Sequence, residues 1–146
     1  MTSREIPDWL TEFVKTTEWG EAPIQMYFWT GIATIAAALR RRVWVDMGTF
    51  QWYPNLYTLL VAPPGVVAKS STVDLGFSHI LKKIPGINYG PSTMTWQALY
   101  DNFAEVGEEF PIPGGGMSQQ FALTIVSSEF GSTLNPKDNE IIDQLF

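Results

Sequence analysis

The stretch Leu56-Tyr57-Thr58-Leu59-Leu60-Val61-Ala62-Pro63-Pro64-Gly65-Val66-Val67-Ala68-Lys69-Ser70-Ser71 decides how this chain should fold. Residues 56–61 form a continuous apolar run without alternation, the pattern of a strand buried on both faces. Pro63-Pro64-Gly65 stops it. From Ser70 to about Ile84 the sequence reads as a helix, with Val73, Leu75, Phe77, Ile80 and Leu81 among its apolar positions, and Pro85-Gly86 closes it. Strand, small-residue turn and helix follow one another in that order.

Upstream, Pro7 suits a first helical turn ahead of Trp9, Leu10, Phe13 and Val14, and Gly20 breaks that helix. A longer helix is expected from about Ala22 to Arg42. Arg40-Arg41-Arg42 would sit in its last turn, where cations favour the negative end of the macrodipole. The alternative reading of the three arginines is contact with a phosphate backbone or with a neighbouring subunit's nucleotide. Val43-Trp44-Val45 and Phe50-Gln51-Trp52-Tyr53 flank Asp46-Met47-Gly48, which predicts a β-hairpin. Its aromatics read first as core packing or a docking surface, and second as a base-stacking surface.

Downstream, Ile87-Asn88-Tyr89 is a short second strand, and Gly90-Pro91 a turn. Ser92 or Thr93 caps a helix running to about Val106, with Trp96, Leu99, Tyr100 and Phe103 on one face. Residues 108–119, with Pro111, Pro113 and Gly114-Gly115-Gly116, read as a mobile loop or hairpin tip. Residues 121–126 (FALTIV) form a third buried-type strand, and Asn135-Pro136 opens a last helix with Ile141, Ile142 and Leu145. Strands alternating with helices predict an α/β fold: a mostly parallel sheet with flanking helices, preceded by an N-terminal helical segment and a short β-hairpin. The boundary is expected near residue 53, with 1–53 as helical segment and hairpin and 54–146 as the α/β core.

Composition narrows the function. The chain has 146 residues, enough for one domain, and 45% are hydrophobic while only 16% are charged. Such a chain folds, and its apolar faces invite a partner. It has no cysteine and one histidine, His79, which excludes a disulfide scaffold, a thiolate metal site and a histidine cluster. The absence of cysteine fits a cytoplasmic protein. A net charge of −6 argues against a whole surface that binds nucleic acid, though not against a local basic site. The apolar residues from Ile24 to Leu39 fall short of the roughly 20 needed to span a bilayer. Glu18 and Glu21 stand where a signal peptide would carry basic residues. A buried core helix is the favoured reading, with membrane insertion and an oligomer interface as alternatives.

In an open parallel sheet, ligands sit beyond the carboxyl ends of the strands. Two polar segments fall at such ends, Pro63 to Ser71 and Ser127-Ser128-Glu129-Phe130-Gly131. A phosphate-binding loop of the Walker A type needs small residues whose backbone amides curl around a phosphate. It also needs a lysine for the β- and γ-phosphates, a hydroxyl for Mg²⁺ and a helix N-terminus aimed at the anion. Pro64, Gly65, Val66, Val67 and Ala68 supply the loop, Lys69 the cation, Ser70 the metal ligand, and Ser71 the next helical amide. The match to GxxxxGK[ST] is imperfect. Ala68 replaces the glycine before the lysine, Pro63 stands at the first glycine, and Gly65 lies one residue farther from the lysine than in GPPGxGK[ST]. The bland alternative is a tight strand–helix turn with a solvated lysine. Glu129, at the end of the later apolar run, is the candidate general base that polarises water. Ser128 stands where an aspartate commonly supports the Mg²⁺ shell, and it brings no charge. The bland reading of Glu129 is a surface carboxylate.

With Tyr53-Pro54-Asn55-Leu56-Tyr57 leading into this loop, the chain resembles the divergent P-loop ATPases of phages and mobile elements, the primase–helicase-like replication proteins. The resemblance includes the apolar helix ending in basic residues, the Ser/Thr-rich segment 92–95 and Glu129, and covers about residues 22–134. It implies a P-loop NTPase-like fold, ATP with Mg²⁺ as ligands, hydrolysis within a DNA helicase or translocase, a homo-oligomeric ring, and the cytoplasm of a bacterial host. DNA would be engaged through the full assembly, and no membrane is implied. Ala68 and Ser128 depart from the family pattern. Such ATPases also continue into a sensor strand and an arginine finger, so the chain reads as the front half of an ATPase core. The alternative is a truncated or degenerate P-loop protein with a structural or assembly role. A nucleotide kinase is disfavoured because arginine is absent after position 42.

Overall fold

A computed structural model describes residues 8–91, 96–111 and 116–128. The first helix, α1 (Trp9–Thr17), starts at Asp8, whose carboxylate accepts the amides of Leu10 and Thr11 and the hydroxyl of Thr11. The Thr11 hydroxyl is the largest influence holding that carboxyl below its usual range. This is N-cap chemistry: the side chain satisfies amides that have no acceptor inside the helix.

The second helix, α2 (Ile24–Leu39), is the centre of the helical layer. Its buried positions are small or hydroxylated, namely Thr30, Gly31, Thr34 and Ala36, together with Tyr27. Small side chains let two other helices approach closely. A Cβ placed on Gly31 would lie 2.6 Å from a Leu10 methyl of α1. On α3 (Lys69–Phe77), a Cβ placed on Gly76 would lie 2.3 Å from Thr34 Oγ1 and 2.9 Å from Thr30 Cγ2. Thr72, one turn before Gly76 on the same face of α3, is fully buried. The α2 helix is therefore half of what a core helix should be. Phe28, Trp29 and Ile24 on its other face are 42%, 50% and 51% exposed. Among the described residues, no helix is long and apolar enough to cross a membrane.

The helix stops at Leu39, three residues before the end expected from the sequence. Arg40 takes a positive φ of 54°, with its amide still bonded to Ala36 O at 3.0 Å. The physical reason lies in its side chain. The Arg40 guanidinium is buried and donates to the Gly86 carbonyl and to the Glu108 carboxylate. Gly86 follows the 3₁₀ turn Leu81–Lys83, and Glu108 belongs to β3 (Gly107–Pro111), so one cation ties three segments together.

The first hairpin is present, shorter than expected, as β1 (Val45–Asp46) against β2 (Gln51–Trp52). Its turn is closed by Met47 N to Phe50 O at 3.0 Å, and Gly48 supplies the positive φ of 83°. After α4 (Trp96–Glu105), β3 pairs antiparallel with β4 (Met117–Phe121), which makes hairpin strands of a region read as loop or hairpin tip.

The mostly parallel sheet of a P-loop NTPase-like fold is contradicted. The described residues form four helices and two antiparallel sheets of two strands each. Residues 56–61 belong to neither sheet, and Leu56, Tyr57, Leu59 and Val61 are 51–77% exposed. Of the second and third expected strands, one parallel bridge remains, Tyr89 with Thr124, closed by Gly90 N to Thr124 O and Thr124 N to Asn88 O, both 2.9 Å. Phe121, assigned from the sequence to the third strand, ends β4 instead. Local antiparallel pairing closes a short loop, whereas parallel pairing must order a long crossover. An apolar run without alternation also does not specify its own partner. The last expected helix lies outside the described residues.

Two outcomes test this packing. Gly76→Val drives a branched side chain into Thr34 and Thr30, and thermal unfolding should show a loss of about 2 kcal/mol. Arg40→Ala removes the buried guanidinium that joins Gly86 to Glu108, leaving the half-buried Glu108 only Arg42 at 3.7 Å, and should cost about 2 kcal/mol. In a double-mutant cycle with Glu108→Ala, the coupling should be about 1–3 kcal/mol, read from denaturant midpoints.

Candidate phosphate-binding site

The loop before α3 is built by three local constraints. Pro63 and Pro64 forbid helix and fix an exposed turn. Gly65 takes φ 72°, a conformation that other residues enter at a cost, and a Cβ there would meet nothing within 4 Å. The loop then returns to the helix start through Val67 and Ala68, both half-buried, while Val66 is 68% exposed.

At the helix start Ala68 occupies the N-cap with no side-chain hydrogen bond. An alanine there has no oxygen to offer, so the first-turn amides lack the usual cap. The Lys69 amide turns back to Val67 O at 2.9 Å. The amide of Thr72 bonds Ala68 O at 3.0 Å, and its hydroxyl bonds the same carbonyl at 2.9 Å. Ser70 and Ser71 lie between them, exposed, on the turn whose amides carry the positive end of the helix dipole.

The Lys69 ammonium does not extend into solvent. It donates to the carbonyl of Ala62, at the start of the loop. A single side chain thus joins the first helical residue to the residue before Pro63 and closes the loop into a ring. Its positive charge and the uncapped helix end stand on the same short segment. The arrangement suits an anion, because charge, dipole and backbone amides act with one sign.

Other sequence candidates are not brought here. Ser128 is exposed at the end of the described chain, with no described contact to the loop. Glu129 lies outside the described residues. Among the described residues, no group of three acidic or histidine side chains could hold a metal. Arg40 is held within its own chain, and Arg42 Nη2 lies 3.7 Å from Glu108. The guanidinium of Arg41 lies 3.9 Å from the centre of the Tyr53 ring.

Sequence reading missed Thr72. Its signal is its spacing of four from Gly76, which places both on one helical face. From that face it anchors the first turn of α3 by the two hydrogen bonds, from its amide and its hydroxyl, that it donates to Ala68 O. Comparison with protein-family models, with curated proteins and with solved structures gives no match to this chain.

Because nothing crowds Gly65, its replacement isolates the backbone effect. Gly65→Ala should destabilise by about 1 kcal/mol in thermal unfolding, through φ alone. A loop free to relax would show no loss.

Proposed function

We propose that residues 63–71 bind the phosphates of ATP with Mg²⁺, as part of a DNA helicase or translocase of the phage and mobile-element type. The supporting observation is the Lys69–Ala62 closure around an uncapped helix N-terminus. On binding, the Lys69 ammonium exchanges the Ala62 carbonyl for phosphate oxygens. The first-turn amides and the backbone around Gly65 receive the same anion. Ser70 would offer its hydroxyl to Mg²⁺, whose charge would offset that of the phosphates. The proposal concerns the loop and α3 and does not require the parallel sheet. From the sequence pattern alone, Glu129 would polarise the attacking water and Ser128 would support the metal site.

A second reading is a structural or assembly protein with a P-loop-like segment and no turnover. The exposure of residues 56–61 supports it, since an apolar run left open to solvent is a surface for another chain. Homo-oligomers belong to both readings.

Thermal unfolding with millimolar Mg-ATP separates them. Ligand at about 100 times its dissociation constant should add about 2.7 kcal/mol, several degrees for a chain of this size. Lys69→Ala should lose the shift, while Glu129→Gln should keep the shift and lose phosphate release. No shift in the wild type would overturn the nucleotide reading and leave assembly.

A further inference from the structure

The α2 helix carries no charged residue over its 16 residues, and two of its faces differ. Tyr27, Thr30, Gly31 and Thr34 are buried on the side where α1 and α3 pack. Ile24, Phe28, Ile32, Ile35 and Leu39 form a second stripe, spaced four, four, three and four residues apart. At 3.6 residues per turn they fall within about 80° of arc, turned about 110° from the buried set. Ile24, Phe28 and Leu39 are exposed, and Ile32 and Ile35 are half-buried. Trp29 flanks the stripe, edge to face on Phe28 at 5.9 Å.

Two features match this stripe to itself. Its spacing reads nearly the same from either end. Laid antiparallel on a second copy, Ile24 meets Leu39, Phe28 meets Ile35, and Ile32 meets its own counterpart at the dyad. Charge at the two ends has the same symmetry. Glu18 and Glu21 are exposed just ahead of the helix. Just beyond it, Arg40 and Arg42 share the single carboxylate of Glu108, and the Arg42 side chain is 60% exposed. Glu21 precedes Ile24 by three residues and Arg42 follows Leu39 by three, so the same register brings the acidic end of each copy to the basic end of the other. Parallel pairing would set like charges side by side.

We propose that α2 is the interface of an antiparallel dimer with a second copy of this chain, its dyad at Ile32. Such a contact is isologous, and it has the form of a stable interface, with an uncharged centre and a charged rim. Trp19, 80% exposed ahead of the helix, together with Phe28 and Trp29 brings about 300 Å² of aromatic surface per copy. With the four aliphatic residues of the stripe, burial reaches about 1,200 Å² over both copies, the lower edge of specific interfaces. A membrane surface fits this face less well. Helices that lie on membranes carry Lys and Arg on their polar face, and α2 has none. Glu18 and Glu21, on a chain of charge −6, also oppose anionic lipid. The inference names the surface and symmetry of self-association, and it stands with or without nucleotide binding because Lys69 takes no part in it.

Sedimentation velocity over a micromolar concentration series, without ATP, tests it. The wild type should show a reversible monomer–dimer equilibrium. Phe28→Glu, checked by circular dichroism for retained fold, should raise Kd about tenfold or more. Glu21→Arg and Arg42→Glu should each weaken the dimer about tenfold alone. Mixed together they should restore wild-type association, because the heterodimer regains both opposite-charge pairs. In a chain without cysteine, Ile32→Cys should oxidise to a covalent dimer, and Thr16→Cys on the exposed side of α1 should not. A monomer at every concentration would overturn the proposal. So would a folded Phe28→Glu that dimerises as the wild type does, or a mixture no tighter than its separate variants. Self-association kept by Phe28→Glu but lost with Leu59→Glu would overturn it by moving the contact to residues 56–61. Binding to anionic vesicles by a chain that does not self-associate would overturn it in favour of a membrane surface.

Discussion

The buried guanidinium of Arg40 is the constraint from which much of this structure follows. A charge taken out of water is tolerated only when it is paired and hydrogen-bonded. Here the partners come from far along the chain, the Gly86 carbonyl and the Glu108 carboxylate. To reach them the backbone leaves the helix at residue 40, in a conformation that non-glycine residues seldom adopt. The end of α2, the turn after the 3₁₀ segment and the β3–β4 hairpin are thereby fixed together. Arg41 and Arg42 then project among the hairpins instead of following the helix axis.

The other half of the structure rests on shape instead of charge. The α2 helix buries threonines, glycine and alanine where larger residues are usual, and its close neighbours are Gly76 on α3 and Leu10 and Phe13 on α1. Close approach is stabilised by dispersion over many small contacts. It also positions the candidate loop, because Thr72 and Gly76 on one face of α3 set the helix against α2 and leave its N-terminus outward. The loop is thus a rigid helix end joined to a chain segment that has no sheet to hold it.

That division explains how the surface is distributed. Apolar side chains that the sequence assigns to a sheet interior are exposed at residues 56–61, and the hairpin aromatics are exposed as well. The two exposed sets differ in company. The first is bare of charge, and the second is interleaved with arginine, glutamine and glutamate.

Local structure was legible in the sequence where a residue acts on its own neighbours. The Asp46-Met47-Gly48 turn, the helices beginning near Trp9, Ile24 and Lys69, and the Pro-Pro-Gly loop before Lys69 all follow from backbone preference and short-range periodicity. Long-range choices were not legible. An unalternating apolar run such as LYTLLV carries no register and no partner identity, so the sequence alone could not say that it would join neither sheet. Arg40 read as a helix-end charge because its two partners lie far from it in the chain. The tertiary structure decided that pairing, the antiparallel use of Phe121 and the clustering of Arg41 with Tyr53. Each depends on which distant segments meet, and propensity and periodicity are blind to that.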